Sequence, residues 1–239
     1  NLKGMNDGIN RVQPSLGLML IGQMLENCGH IVKIHEKNKV RIGQSDEDIE
    51  NVINDFFPDV VAISALFSNF LDSAHNIARL AKKVNKNIKV ILGGNHISNA
   101  IIDYSFSLID KNSNLPDEIE DLKDENIDFA IKGEGEMPMV KLVEAIINDG
   151  DIGKVPGLVK KIGQKKYFIN SKSEKHDLNL LPRPARHLVN MEGYFKIGAF
   201  QSAKARSNRV LSVQCSRGCP EKCNFCTTPQ MWGANIRWR

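Results

Sequence analysis

The sequence predicts an α/β fold built on a parallel sheet with helices on both faces. Helical and strand patterns alternate from Ser15 to about residue 150, which is typical of βαβ units with right-handed crossovers. The predicted strands are continuous apolar runs of the kind found in strands buried on both faces. With 41% hydrophobic and 25% charged residues, the composition is that of an ordinary globular protein.

The elements of this α/β region follow in order along the chain. Apolar residues at helical spacing predict the helices, and short apolar runs between turn signals predict the strands. Gly29 and Pro58 stand where the first and second helices end. The predicted strands are residues 31–35, 59–64, 89–93 and 129–132, and the predicted helices are residues 16–28, 45–57, 77–84, 99–109 and 140–147.

Parallel strands place their strand-to-helix loops at one edge of the sheet, where open α/β folds bind ligands. Three loops are predicted there, and two are rich in glycine, which permits close backbone approach to a ligand. The alternative is that these glycines only make tight turns. The candidate residues of the three loops are Ser64 and Leu66, Gly93, Gly94 and His96, and Gly133, Glu134 and Gly135.

The second half of the chain has a different pattern. Residues 157–162 and 166–169 predict a β-hairpin, and Leu181-Pro-Arg-Pro184 is typical of a linker. Residues 209–214 predict a further strand that leads into a cysteine-rich loop. We therefore expect an α/β domain over residues 1–150, a hairpin and linker over 151–190, and the start of another domain over 191–239.

The cysteine-rich loop carries Cys219, Cys223 and Cys226 in a C-x3-C-x2-C spacing. Three thiolates from one tight loop can hold three irons of a [4Fe–4S] cluster and leave the fourth iron open. Zinc is the first alternative, with Cys215 as a fourth ligand, and free or redox-active thiols are the second. A disulfide scaffold does not suit a chain of this size with five cysteines and no signal peptide.

The cysteine loop resembles that of radical S-adenosylmethionine (SAM) enzymes, and the α/β region resembles the flavodoxin-like cobalamin-binding domain found with them. The second resemblance is carried by Ser64-Ala-Leu66 followed after 26 residues by Gly93-Gly94, by Pro14-Ser-Leu-Gly17 and by Gly133-Glu-Gly-Glu136. Together they imply a truncated radical SAM barrel after the linker, with SAM bound at the open iron. Phe225 would pack against the adenine side of SAM or shield the cluster.

The resemblance also implies cobalamin contacts. Ser15 and the three loops would line the cofactor, His96 would lie near its nucleotide tail, and Glu134 would contact it. The D-x-H-x-x-G motif that supplies a cobalt-binding histidine in other cobalamin proteins is absent. The hypothesis is therefore a cobalamin with no histidine below cobalt and with Leu16 or Leu66 beneath the corrin. Cys28 is expected in the core and Cys215 against the cysteine loop.

The implied activity is radical chemistry that ends in methyl transfer to carbon or in oxidative cyclisation. An electron donor such as flavodoxin or ferredoxin, a cytoplasmic location and no membrane span are expected. The chain reads as a fragment, lacking a first strand and most of the barrel. Residues 170–239 carry 12 basic and 4 acidic residues, yet nucleic acid is not the favoured partner. RNA modification and a zinc-carrying, non-enzymatic cobalamin protein remain alternatives.

Overall fold

The computed structural model describes residues 13–36, 46–110, 116, 118–170, 175–197, 207 and 209–239. Its centre is a sheet of five strands in the order β1-β2-β3-β4-β5, and two short strands form a second sheet. The strands are β1 (Val60–Ser64), β2 (Lys89–Gly93), β3 (Phe129–Ile131), β4 (Leu158–Gly163), β5 (Lys166–Ile169), β6 (Ser216–Arg217) and β7 (Arg237–Trp238). The α-helices are α1 (Leu16–Asn27), α2 (Asp46–Phe56), α3 (Leu71–Val84), α4 (Asn95–Ser107), α5 (Glu136–Ile147), α6 (Met191–Ile197) and α7 (Thr228–Trp232).

The first three strands are parallel, as predicted. β1 pairs with β2 over five residues, and β2 pairs with β3. The predicted hairpin is also confirmed, since β4 and β5 are antiparallel neighbours. The hairpin extends the main sheet, because β4 pairs antiparallel with β3. The sheet is therefore mixed, and the division at residue 150 stays a prediction.

Helices cover both faces of the sheet, and alternate strand residues point to each face. Val90 and Leu92 belong to the core under α2, α3 and α4, whereas Ile91 between them belongs to the core under α1 and α5. Phe129 and Ile131 likewise face α5, with Ala130 on the opposite side. All six of these strand residues are buried. Burial on both faces explains why the strands read as continuous apolar runs.

The prediction of a strand at residues 31–35 was wrong, because the structure has no strand there. Ile31 is 86% exposed, and a groove of about 470 Å³ separates this segment from the edge strand β1. Side chains of α1 and α5 form the floor of the groove, among them Ile21 and Val143. An extended apolar segment becomes a strand only when a neighbour pairs with it, and none of the described strands does.

The prediction of a strand at residues 209–214 was also wrong. The segment pairs with no strand in the described part of the chain, and Leu211 and Val213 are 50% and 71% exposed. Pairing begins only at β6, whose partner β7 lies at the other side of the cysteine loop. The loop from residue 218 to 236 thus leaves and rejoins the fold through one short antiparallel pair. No helix among the described residues is long and apolar enough to span a membrane.

Candidate functional site at the carboxyl edge of the sheet

The three predicted loops meet at the carboxyl edge of the sheet. After β1, the backbone N–H of Ala65 donates to the carbonyl of Gly93 at 2.9 Å, and the N–H of His96 donates to the carbonyl of Ala65 at 3.2 Å. These bonds join the first loop to the second. The side chain of Ser64 at the end of β1 is exposed at this edge.

Ser98 joins the second loop to the third. Its hydroxyl donates to the carbonyl of Gly94 at 2.8 Å and accepts from the N–H of Gly133 at 3.0 Å. Ser98 is 1% exposed, so both bonds lie away from water. A buried hydroxyl with donor and acceptor sites both used fixes the relative position of the two loops.

Gly94 is required by the backbone. Its φ of 104° and ψ of −179° are conformations that residues with side chains rarely adopt, and a Cβ there would lie 2.4 Å from the carbonyl oxygen of Ala65. Gly133 also has a positive φ, of 84°. At Gly93, in contrast, an added Cβ meets no atom nearer than 4.0 Å. The tight-turn explanation therefore covers Gly94, whereas a Cβ at Gly93 would make only ordinary contacts with the backbone oxygens of Ile63 and Ile131.

Apolar side chains are exposed beside these loops. Leu66, Phe67 and Phe70 are 43%, 62% and 38% exposed, and the two phenylalanine rings lie 6.2 Å apart. Several neighbouring exposed apolar groups on an otherwise polar surface are typical of a binding surface. The carboxyl edge therefore combines a backbone without a side chain at Gly93 with an apolar face that a flat ligand could cover.

His96 lies in the first turn of α4 with both ring nitrogens engaged. Its Nδ1 is 3.1 Å from the hydroxyl of Ser68, and its Nε2 is 3.1 Å from Oδ2 of Asp121. Asp121 is 4% exposed, so the histidine pairs with a buried carboxylate. This arrangement holds the imidazole in place at the edge and leaves neither nitrogen free in this structure.

Asp121 also lies near a second histidine. His75 Nε2 is 3.6 Å from Oδ1 of Asp121, and its Nδ1 is 2.7 Å from Oδ2 of Asp124. Burial by itself would raise the pKa of Asp124, but hydrogen bonds from Asn126 and His75 outweigh burial and lower it. The acidic stretch that the sequence presents as a solvated excursion thus supplies carboxylates to the candidate site.

Ser15 and Leu16 lie at the start of α1. The Ser15 hydroxyl accepts from the N–H of Leu18 at 3.4 Å, and its backbone N–H donates to Glu36 at 2.7 Å. Leu16 lines a small cavity with Tyr194 and with residues that precede the cysteine loop. The observed role of Ser15 is that of a helix cap, and the cofactor contacts predicted for both residues stay predictions.

Backbone hydrogen bonds hold the turns of the cysteine loop. The N–H of Cys219 donates to the carbonyl of Gly233 at 3.0 Å, and that of Cys226 donates to the carbonyl of Cys223 at 3.1 Å. Hydrogen bonds from the hydroxyl and the backbone of Thr228 lower the pKa of the Cys226 thiol. A lower pKa favours the thiolate, which is the form that binds metals. Phe225, beside Cys226, is 92% exposed.

All five cysteines are free thiols in this structure. Cys28 is exposed as the C-cap of α1, so the expectation of a core position was wrong: the residue lies just past the last turn of the helix and is accessible to solvent there. Cys215 is also exposed. No three His, Cys, Asp or Glu side chains in the described part of the chain converge where one metal ion could sit.

Two arginines join the base of the cysteine loop to the third loop of the sheet. Arg217 donates from Nη1 to Oε2 of Glu134 at 3.2 Å and from Nη2 to Oε1 of Glu136. Arg237 donates from Nη2 to Oε1 of Glu134 and from Nη1 to Oε2 of Glu134 at 3.2 Å. We call Arg217, Arg237, Glu134 and Glu136 the arginine–glutamate joint.

The joint is almost completely buried. The side chains of Arg217, Glu134 and Glu136 are 4%, 2% and 5% exposed, and that of Arg237 is 19% exposed. Burial would lower the pKa of Arg217, but Glu136 and Glu134 raise it above its ordinary value. Buried charges require this pairing, because an unpaired charge in the interior is very costly.

The sequence did not identify four residues that organise this site. Ser98 and Asp121 carry no motif, and their roles follow from contacts with residues that are distant in the chain. Arg217 and Arg237 flank the cysteine loop, so their positions were a usable signal, yet the acidic partners were not evident. The carboxylate of Glu134 has both oxygens bound by arginines, and its predicted cofactor contact stays a prediction.

Known proteins share this architecture. Residues 3–104 match the B12 binding domain family. Cytidylyl-2-hydroxyethylphosphonate methyltransferase from Streptomyces wedmorensis is 30% identical, over 94% of this chain and 46% of its own length. The cobalamin-dependent SAM radical enzyme OxsB, solved with aqua-cobalamin and SAM bound, has a TM-score of 0.66 at 15% identity, over 99% of this chain and 28% of its own.

A second solved structure is the radical SAM methyltransferase TsrM from Kitasatospora setae, with cobalamin and a [4Fe–4S] cluster bound. Its TM-score is 0.58 at 16% identity, over 96% of this chain and 42% of its own. At these identities the two structures show a shared fold. The chain spans less than half the length of each of these three proteins.

Proposed function

We propose that the chain is part of a cobalamin-dependent radical SAM enzyme, because residues 3–104 match the B12 binding domain family and a methyltransferase from Streptomyces wedmorensis is 30% identical over 94% of this chain. The cobalamin would bind at the carboxyl edge of the sheet, and a [4Fe–4S] cluster with SAM would bind at the cysteine loop. The observation that carries the proposal is the joint, which places a three-cysteine loop beside the ligand edge of a B12-type sheet. We retain the division at residues 150 and 190 as part of this proposal.

The residue types and spacing of the cysteine loop suit an iron–sulfur cluster. Cys219, Cys223 and Cys226 are free thiols of one loop that would have to draw together around the cluster, and Thr228 favours the thiolate of Cys226. Three cysteine ligands leave one iron available to SAM. When bound, the cluster would supply the electron that cleaves SAM. The exposed ring of Phe225 would shield the cluster or pack against the adenine of SAM.

The carboxyl edge fits a large, flat cofactor. Leu66, Phe67 and Phe70 present an apolar face, and the lack of a side chain at Gly93 would allow a ligand to approach the backbone at the end of β2. His96 has both nitrogens engaged with Ser68 and Asp121, which supports a cobalamin that has no histidine on cobalt. When bound, the cobalamin would carry the methyl group. Leu16 or Leu66 would lie beneath the corrin.

Methyl transfer to carbon is the outcome that we propose first. The relative from Streptomyces wedmorensis and TsrM are both named methyltransferases. Oxidative cyclisation is the second outcome, because an anaerobic magnesium-protoporphyrin IX monomethyl ester cyclase from Synechocystis is 32% identical over 49% of this chain. The electron would come from a donor such as flavodoxin or ferredoxin, in a reducing compartment such as the cytoplasm.

Anaerobic reconstitution of the chain with iron, sulfide and cobalamin tests the proposal. We expect a brown protein that absorbs near 400 nm, holds about four irons per chain and retains cobalamin through gel filtration. Cys223→Ala should lose the iron, and the matched variant Cys28→Ala should keep it. Colourless protein with stoichiometric zinc would contradict the proposal in favour of a zinc-carrying cobalamin protein. Iron without cobalamin, together with tight tRNA binding, would favour RNA modification.

A further inference from the structure

We propose that the arginine–glutamate joint is a positioning element that sets the cysteine loop at a fixed distance from the carboxyl edge of the sheet. The inference rests on the proposed function, because the loop and the edge are the two proposed cofactor sites. It assigns Glu134 and Glu136 a role that differs from direct contact with a cofactor. Both residues would act on the chemistry through Arg217 and Arg237.

The position of the joint in the chain is the first argument. Arg217 stands two residues before Cys219, and Arg237 is its register partner across the β6–β7 pair. The chain enters the cysteine loop through β6 and leaves it through β7. A constraint on this pair is therefore a constraint on the whole loop between the two strands.

The second argument is the rigidity of the segment that carries the two glutamates. Glu134 lies in the short loop between β3 and α5, and Glu136 is the first residue of α5. α5 packs against the sheet through Met139, Leu142 and Val143, all of which are buried. Glu136 therefore stands on a packed helix, and Glu134 stands in a short loop held between a central strand and that helix, and helices and strands hold a site more accurately than loops do.

The geometry of the bonds is the third argument. The planar guanidinium of Arg217 donates to Glu134, to Glu136 and, through Nε, to Gln214 at 2.8 Å, and it lies 5.4 Å from the ring centroid of Trp232. A guanidinium engaged on several edges has one allowed orientation, whereas a single ammonium does not. In the described part of the chain, the ion pairs between the segment 215–239 and loop 133–136 are those of Arg217 and Arg237.

The charges of the joint balance, with two arginines and two glutamates. Replacing either glutamate with glutamine therefore leaves one positive charge of the joint unbalanced. A reaction that uses two cofactors depends on their separation, and small displacements of reacting groups are costly. The joint thus sets the position of the cysteine loop, and that position sets the distance between the two cofactors in the loaded protein. The loop position can be measured without any cofactor.

Hydrogen exchange in the cofactor-free chain is the first test, with Glu136→Gln, Arg217→Lys and the control Glu144→Gln, an exposed residue of α5. We expect the amide of Cys219, which bonds to Gly233, to exchange at least about tenfold faster in the first two variants. Amides of β2 and the whole control should exchange as in the unaltered chain. Equal exchange at Cys219, or an equal rise in β2, would overturn the inference.

Pulsed EPR of the loaded chain is the second test, since it measures the distance between a reduced cluster and Co(II). We expect a single narrow distance in the unaltered chain and in Glu144→Gln, and a broadened one in Glu136→Gln and Arg217→Lys at equal iron and cobalamin content. An unchanged distance distribution would overturn the inference. If the unaltered chain takes up neither cofactor, the proposed function fails, and the exchange test still decides whether the joint holds the loop.

Discussion

Arg217 and Arg237 lie opposite each other as register partners in the β6–β7 pair, and the carboxylate of Glu134 accepts hydrogen bonds from both. Like charges in this relation destabilise a pair of strands. Glu134 therefore does more than pair with one arginine, because it offsets the repulsion between two. The stability of the base of the cysteine loop depends on a residue that lies 83 positions earlier in the chain.

Glu134→Gln should lower the free energy of unfolding by about 3–5 kcal/mol, the range for breaking a buried ion pair from one side. The reason is that two guanidinium groups would remain close together, one of them 4% exposed, with Glu136 as their one charged partner among the described residues. Urea unfolding followed by circular dichroism measures the change. Glu144→Gln is the control, and a loss below about 1 kcal/mol, as for a surface pair, would contradict the prediction.

Gly94→Ala should destabilise the fold by at least about 1–3 kcal/mol, the cost of a residue held in a glycine-only backbone region. The added Cβ would also meet the carbonyl of Ala65 at 2.4 Å. Gly17→Ala is the matched control, because Gly17 lies in α1 with no atom within 4 Å of an added Cβ. We expect that control to leave the melting temperature unchanged or higher. Equal melting temperatures for both variants would contradict the prediction, because they would show that the backbone at Ala65 and Gly94 can move to accept the added Cβ.

The stability should depend on pH through Asp124, whose folded-state pKa is below its ordinary value of 3.8. A carboxylate with a lowered pKa stabilises the fold above the unfolded pKa, and this stabilisation is lost as the pH falls through that value and below. The loss caused by Asp124→Asn should therefore be complete at neutral pH and shrink below about pH 4. Urea unfolding across this range measures it. Asp55→Asn, at an exposed position, should show no such trend.

The Co(II) EPR spectrum of the loaded chain should show no hyperfine splitting from a histidine nitrogen. His96 bonds to Ser68 and Asp121 through its two nitrogens, so coordination through either nitrogen would require the hydrogen bond at that nitrogen to break. Labelling the histidines with ¹⁵N should leave the spectrum unchanged, and His96→Ala should leave it unchanged as well. A splitting that responds to ¹⁵N and disappears in His96→Ala would contradict the prediction.

The sequence predicted the fold class because its signals are local. Apolar runs such as residues 89–93 and helical spacing such as that of α5 depend on neighbouring residues, and the structure confirms both. Residues 31–35 have the same apolar pattern as a strand, but pairing depends on a neighbour that the pattern does not contain. The hairpin was predicted for the same local reasons, whereas its attachment to β3 was not.

The candidate site was predictable only in part. The glycine loops and the cysteine loop are recognisable in the sequence by residue type and spacing. The joint does not, because its ion pairs link residues 81 to 103 positions apart, and the acidic residues of Gly133-Glu-Gly-Glu136 also suit a helix N-terminus. The carboxylate that holds His96 comes from a stretch whose charge predicted only a solvated surface.

The groove beside β1 has a practical meaning for anyone who purifies this chain. The outer edge of β1 has no strand partner among the described residues, and its backbone N–H and C=O groups can pair with a strand of another molecule. Association would then rise with protein concentration and would begin at this edge. A lysine in place of the exposed Ala62 would place a charge at that edge, and it is the substitution to make before crystallisation trials.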